Sequence, residues 1–208
     1  MPSALIVDDQ PYIRAIVEDI LVQEGFQVAA QASDGVQAVA LARQLRPQVI
    51  VMEIAIPGLD GVDVIRRIKH LGFPTNILVL TSYRPEYIAE RCLKAGAAGF
   101  LCKTNEPEDF RNALRTVTAG FIFFPNLRSS LDGPALGDSA EAERIAQLST
   151  RELAVLRYLA VGFTNLQIGE VLLLSNKTIS SYKSRLVAKL KVKSVVGLAE
   201  LAHRHHLV

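Results

Sequence analysis

Residues 49–58 read VIVMEIAIPG. A short apolar run rich in β-branched side chains ends in one acid and then in a proline–glycine break. Such a run fits a strand buried on both faces, which belongs in a parallel sheet with helices on either side. Glu53 then stands at the carboxyl end of that strand, where open α/β sheets bind their ligands.

The flanking sequence repeats the unit. Residues 4–7 are an apolar run closed by Asp8 and Asp9, followed by Ile13, Ile16, Val17, Ile20 and Leu21 at helical spacing and a stop at Gly25. A second strand is predicted over residues 26–30, and a helix over 36–45, opened by Asp34 and stopped by Pro47. Beyond the central strand, helices are predicted over 60–71 and 85–95 and strands over 76–80 and 98–101. The spacing predicts a last helix capped by Asn105, with Phe110, Ala113, Leu114 and Val117 facing inward. Five strand–helix units in about 120 residues predict a doubly wound, flavodoxin-like (βα)5 domain with strand order 2-1-3-4-5.

Residues 121–146 break this rhythm, with prolines, glycines, serines and aspartates crowded together, and read as a partly mobile linker. Residues 147–208 carry only helical patterning, which predicts a second, all-α domain of four helices. Charge divides along the same line. Residues 146–208 hold nine Lys and Arg against three Glu, whereas the remaining 145 residues are net acidic. A basic back half suggests a polyanionic partner. No apolar run is long enough to span a bilayer and the start lacks a secretory pattern, so a cytoplasmic protein with no membrane role is expected. Cys92 and Cys102 are the only cysteines, too few for a disulfide framework.

A parallel sheet gathers the residues that end its strands. Here these are Asp8 and Asp9, Glu53, Thr81 and Lys103. Three clustered carboxylates repel one another, and a hard cation such as Mg²⁺ relieves that repulsion. Lys103 and the Thr81 hydroxyl could serve phosphoryl oxygens, so the set suggests phosphoryl transfer to a carboxylate. With the Pro57-Gly58-Leu59-Asp60-Gly61 turn and the Phe100-Leu101-Cys102-Lys103 stretch, residues 4–120 resemble a receiver domain of bacterial two-component signalling. The resemblance implies that Asp8 and Asp9 hold Mg²⁺, and Glu53 completes the candidate metal set. It also implies that Lys103 and Thr81 attend the phosphoryl group, that Phe100 is an aromatic switch following Thr81, and that a sensor histidine kinase is a partner. One position departs from the family: the phosphoacceptor is an aspartate there and Glu53 here. The extra methylene carries the carboxylate roughly 1.5 Å further, into the space of a phosphoryl group. Glu53 then either imitates the phosphorylated state or pairs with Lys103 in an inactive one, and ordinary phosphorylation is expected to be absent or feeble.

In the back half, Ser149-Thr150-Arg151-Glu152 is a capping box, Thr164 and Asn165 open a second helix, and Ser175 caps a third over residues 176–190. Two helices joined by a tight turn make a helix-turn-helix, whose second member enters the DNA major groove. On the third helix Ile179, Leu186 and Leu190 project to one side, and Lys177, Ser181, Ser184, Arg185 and Ala188 to the other. Small polar and basic side chains suit close approach to base edges and phosphates. The candidate DNA-binding set is Asn176, Lys177, Thr178, Ser180, Ser181, Lys183, Ser184, Arg185 and Lys189. Residues 148–202 resemble the LuxR-type DNA-binding domain of the NarL/FixJ family, nearest its BvgA-like branch. The resemblance implies a homodimer on promoter DNA, paired through the last helix. Gly169 stands where alanine is usual and is expected to weaken its helix by up to about 1 kcal/mol. His203, His205 and His206 read as a solvated basic tail.

Three function classes follow. The leading one is a phosphorelay transcription regulator. The second is a receiver acting as a phosphorylation-independent interaction module that controls DNA binding. The third, a phosphatase, lacks an activated nucleophile, so no enzyme activity is expected.

Overall fold

The structure is a computed structural model that describes residues 1–125, 139–205 and 207–208. It divides into two compact units, Met1–Ser130 and Leu131–Val208. Residues 126–138 of the expected linker, and His206, lie outside the described residues.

In the first unit β1 (Ser3–Val7), β2 (Gln27–Ala32), β3 (Val49–Met52), β4 (Asn76–Thr81) and β5 (Gly99–Cys102) form one parallel sheet. Its order is β2-β1-β3-β4-β5, the order read from the crossover pattern. Between the strands run α1 (Pro11–Gln23), α2 (Gly35–Leu45), α3 (Gly61–Lys69) and α4 (Pro85–Ala95), and α5 (Pro107–Thr118) follows β5. All four residues of β3 are buried, because helices cover both faces of the sheet. β2 lies at an edge and alternates exposed with half-buried positions up to the buried Ala32, which explains its weaker apolar signal. One side of the sheet packs Ile6, Val51, Leu78 and Leu101 against Val17, Leu21, Phe110, Leu114 and Val117.

Two local predictions are corrected. Asn105 does not cap α5: Pro107 takes the first helical turn and Glu106 is the cap residue. The Asn105 side chain instead accepts from Cys102 N–H at 3.2 Å and donates to Asp109 at 3.1 Å. The chain also does not leave the sheet at residue 120. Phe123 forms a parallel bridge to Gly99 on the outer edge of β5.

The turn after β3 depends on a close approach. A Cβ on Gly61 would lie 2.4 Å from the Ile54 carbonyl oxygen, so only glycine lets α3 start there. Asp60 caps that helix by accepting from Val62 N–H at 3.0 Å.

The second unit holds α6 (Ser139–Ala146), α7 (Thr150–Val161), α8 (Asn165–Leu172), α9 (Asn176–Leu190) and α10 (Val195–Arg204). Helix α6 occupies part of the stretch expected to be linker. Glu141 explains why it belongs here: it takes two bonds from Arg204, at 2.9 and 3.1 Å, and meets the buried His205 at 3.0 Å. His205 is therefore no solvated tail. These partners hold the Glu141 carboxyl below its usual range, His205 most and Arg204 next. Complete capping boxes open α7 and α8, and Ser175 caps α9.

Gly169 is corrected as well. A Cβ there would lie 2.6 Å from the Leu174 carbonyl oxygen, where the turn between α8 and α9 folds back. The Leu174 N–H donates to the Gly169 carbonyl at 2.8 Å. The glycine is what allows this turn, and alanine would crowd it.

Candidate functional site

The ends of β1, β3, β4 and the segment after β5 bring Asp8, Glu53, Thr81 and Lys103 together. Backbone bonds fix their bases: Glu53 N–H donates to Val7 O at 2.8 Å, and Lys103 N–H to Thr81 O at 2.8 Å. Asp8 and Glu53 are each 3 % exposed and Thr81 is fully buried.

Glu53 reaches across this pocket. Its Oε1 accepts from the N–H groups of Ile54 (2.6 Å) and Ala55 (2.9 Å) and from the Thr81 hydroxyl. Its Oε2 accepts from Ser82 N–H at 3.3 Å and lies 3.0 Å from Lys103 Nζ. Lys103 Nζ also meets Asp8 Oδ2 at 2.6 Å, and Asp8 Oδ1 accepts from Gln10 N–H at 2.9 Å. Burial works to lower the Lys103 pKa, but the two carboxylates outweigh it and raise it, so the ammonium stays charged. Asp9, nearer the rim, is pushed up by burial.

Asp8, Asp9 and Glu53, the set expected to hold Mg²⁺, lie on one edge of this pocket, and Glu53 adds to the upward shift that burial gives both aspartates. Among the described residues no three acidic, His or Cys side chains come close enough to hold a metal. The added methylene carries the Glu53 carboxylate onto loop N–H groups and the Thr81 hydroxyl, and Lys103 neutralises Glu53 and Asp8 from within. As placed, the Lys103 ammonium sits between the Asp8 and Glu53 carboxylates.

Phe100 is buried at 1 % exposure, and its ring stacks on Phe124 with centroids 6.3 Å apart. The main-chain donors of Ile54, Ala55 and Ser82, and Phe124 itself, were not legible as site residues. Only the apolar run at 121–124 hinted at Phe124.

In the second unit α9 turns Ile179, Leu186 and Leu190 inward. Asn176, Lys177, Ser180, Ser181, Ser184, Arg185 and Lys189 are exposed, and Thr178 and Lys183 are half-buried. Their bonding separates them. Thr178 Oγ1 is 2.8 Å from the capping Ser175 Oγ. Lys183 Nζ donates to Asn165 Oδ1 at 3.1 Å, and Asn165 donates to Ser180 at 3.1 Å, tying α8 to α9. Lys189 is drawn 2.8 Å from the buried Glu152, the acid that also closes the α7 capping box. Burial works to raise the Glu152 pKa, but Lys189 and Ser149 outweigh it and the net shift is down. Ser181 and Ser184 donate to backbone carbonyls one turn back, at 3.0 and 3.2 Å. Arg185 lies over the Tyr182 ring, 4.9 Å from its centroid, so its guanidinium is held on the outer face. Lys177 projects from the first turn of the same helix.

This pairing of an acid pocket with a basic capped helix matches two family models. Residues 4–115 match the response regulator receiver domain, and residues 146–202 match the bacterial regulatory proteins of the luxR family. The chain belongs to the NarL/FixJ response regulators. It is 42 % identical over 207 residues to the virulence transcription regulator BvgA of Bordetella pertussis, covering 99 % of this chain and 98 % of that protein. It is 29 % identical to the DNA-binding transcriptional activator EvgA of Escherichia coli K12, covering 99 % of both. Among solved structures it resembles RcsB of Salmonella enterica serovar Typhimurium, bound to the rprA promoter in the presence of phosphomimetic BeF₃⁻. That likeness has a TM-score of 0.65 at 26 % identity, over 96 % of this chain and 97 % of that one. Like its relatives, this response regulator is a DNA-binding transcription regulator of two-component signalling and not an enzyme. Receiver domains generally bind Mg²⁺ for phosphorylation. No described helix is long and apolar enough to cross a membrane.

Proposed function

We propose that this response regulator binds promoter DNA as a homodimer with its receiver set by Glu53, independently of phosphorylation and of Mg²⁺. The observation that carries the reading is the Glu53 carboxylate itself. It already takes the Thr81 hydroxyl, three loop N–H groups and the Lys103 ammonium, the donors that would stabilise phosphoryl oxygens. The Thr81 bond and the buried Phe100 favour the phosphate-imitating reading over the inactive one. A sensor kinase meets such a receiver as a docking partner rather than a phosphodonor. Solved RcsB structures of dimers on DNA support promoter DNA and a second copy as partners. On this reading Asn176, Lys177, Ser180, Ser181, Ser184 and Arg185 face the DNA. Thr178, Lys183 and Lys189 brace the helix that carries them. The site of action is the bacterial cytoplasm, where that DNA lies.

Incubation with Mg²⁺ and acetyl phosphate tests the receiver. The chain gains no phosphoryl mass, and Glu53→Asp gains one group. EDTA leaves the DNA affinity of the chain unchanged. Stoichiometric phosphorylation of the unaltered chain would overturn the reading.

A further inference from the structure

β5 joins the pocket to the exit from the receiver. Its last residues neighbour Lys103, whose N–H holds the Thr81 carbonyl at 2.8 Å. At its start, Phe123 N–H donates to Ala98 O at 2.9 Å, and Phe100 N–H donates to Phe123 O at 2.8 Å. The segment after α5 thus returns to the outer edge of β5 and satisfies donors that an edge strand leaves open. Gly99 permits the approach: a Cβ there would lie 2.7 Å from Leu78, 2.9 Å from Val117 and 3.3 Å from Phe123 O.

Side chains alternate across this short addition, as in a strand. Phe123 packs on the core between the sheet and α1 and α5. Phe124 stacks on Phe100, with ring planes inclined by 27°. Phe121 and Ile122 are 69 % and 67 % exposed, so the run is held by its last two residues.

We propose that Phe124 is the positioning residue through which the Glu53-set pocket fixes where the chain leaves the receiver, and thereby DNA binding. This rests on the reading that Glu53 sets the receiver. Thr81, held by Glu53, pairs with Cys102 in the sheet, two residues from Phe100. Removing the charge at residue 53 weakens the bond that holds Thr81, loosens the end of β5 and weakens the Phe100–Phe124 stack.

The test uses the full chain and a DNA fragment that it selects from random sequence. In Glu53→Gln, hydrogen exchange at the Phe100 and Phe123 amides accelerates about tenfold while β1 amides hold. Phe124→Ala weakens DNA binding about tenfold, within the usual range of intramolecular coupling. Phe124→Tyr retains the affinity, and adding Glu53→Gln to Phe124→Ala costs nothing further. Unchanged DNA affinity in Glu53→Gln sinks the receiver reading and this proposal with it. If Glu53→Gln and Phe124→Ala each weaken binding and their effects multiply, the receiver reading stands and only the Phe124 assignment is overturned. Unaltered exchange at Phe100 and Phe123 overturns that assignment too.

Discussion

Replacing Glu53 by glutamine keeps the length of the side chain and removes its charge. The carboxylate gathers Ile54, Ala55, Thr81, Ser82 and Lys103, all as donors. An amide offers one acceptor oxygen and points an NH₂ group at donors on its other side. Removing one member of a buried ion pair costs about 3–5 kcal/mol when it strands the other charge. Lys103 keeps Asp8 at 2.6 Å, which places the expected loss at the low end. For a unit of this size, about 3 kcal/mol corresponds to a Tm lower by roughly 10 °C. Scanning calorimetry of the full chain reads it in the receiver transition. An unchanged or raised Tm would refute the reasoning. It would mean that desolvating a second acid costs as much as its donors return.

Three further outcomes concern the second unit. Gly169→Ala destabilises it by about 1–2 kcal/mol, because crowding against the Leu174 carbonyl exceeds the helix-propensity gain; a denaturant midpoint that rises would show that the turn yields. Lys177→Ala and Arg185→Ala each flatten the salt dependence of DNA binding by about one phosphate contact's worth, or Arg185→Ala relaxes base preference instead. Slopes and preferences unchanged in both would remove α9 from the interface. Glu141 and Glu152 are held below the ordinary carboxyl value of 4.5, so their stabilisation is complete above about pH 5 and is lost as pH falls further. Unfolding of this unit between pH 7 and pH 4 should therefore depend less on pH in Glu141→Gln. Parallel pH curves for variant and parent would contradict the Glu141–His205 clasp.

Much of this molecule is legible because its sequence signals are local and repeated. Buried runs such as residues 49–52 and capping residues such as Ser149 and Ser175 announce their elements. Strand ends collect the acids because a parallel sheet has one carboxyl edge. What stayed hidden depends on distant partners. Periodicity cannot show that a glutamate's extra carbon finds loop N–H groups and the Thr81 hydroxyl. The bond between Lys189 and Glu152 could not be seen because the two lie 37 residues apart in sequence. Gly169 looked like a weak helix residue because its cost falls on a carbonyl in the following turn. The Phe121–Phe124 run carried a strand signal, but the polar stretch beyond it made the whole segment resemble a linker.

The most direct measurement is the DNA affinity of the full chain without phosphodonor and with EDTA, compared with Glu53→Gln under the same salt. The unaltered chain is expected to bind its selected fragment tightly and the variant about tenfold more weakly, in the usual range of allosteric coupling. Equal affinities would contradict the claim that the carboxylate at residue 53 sets the receiver.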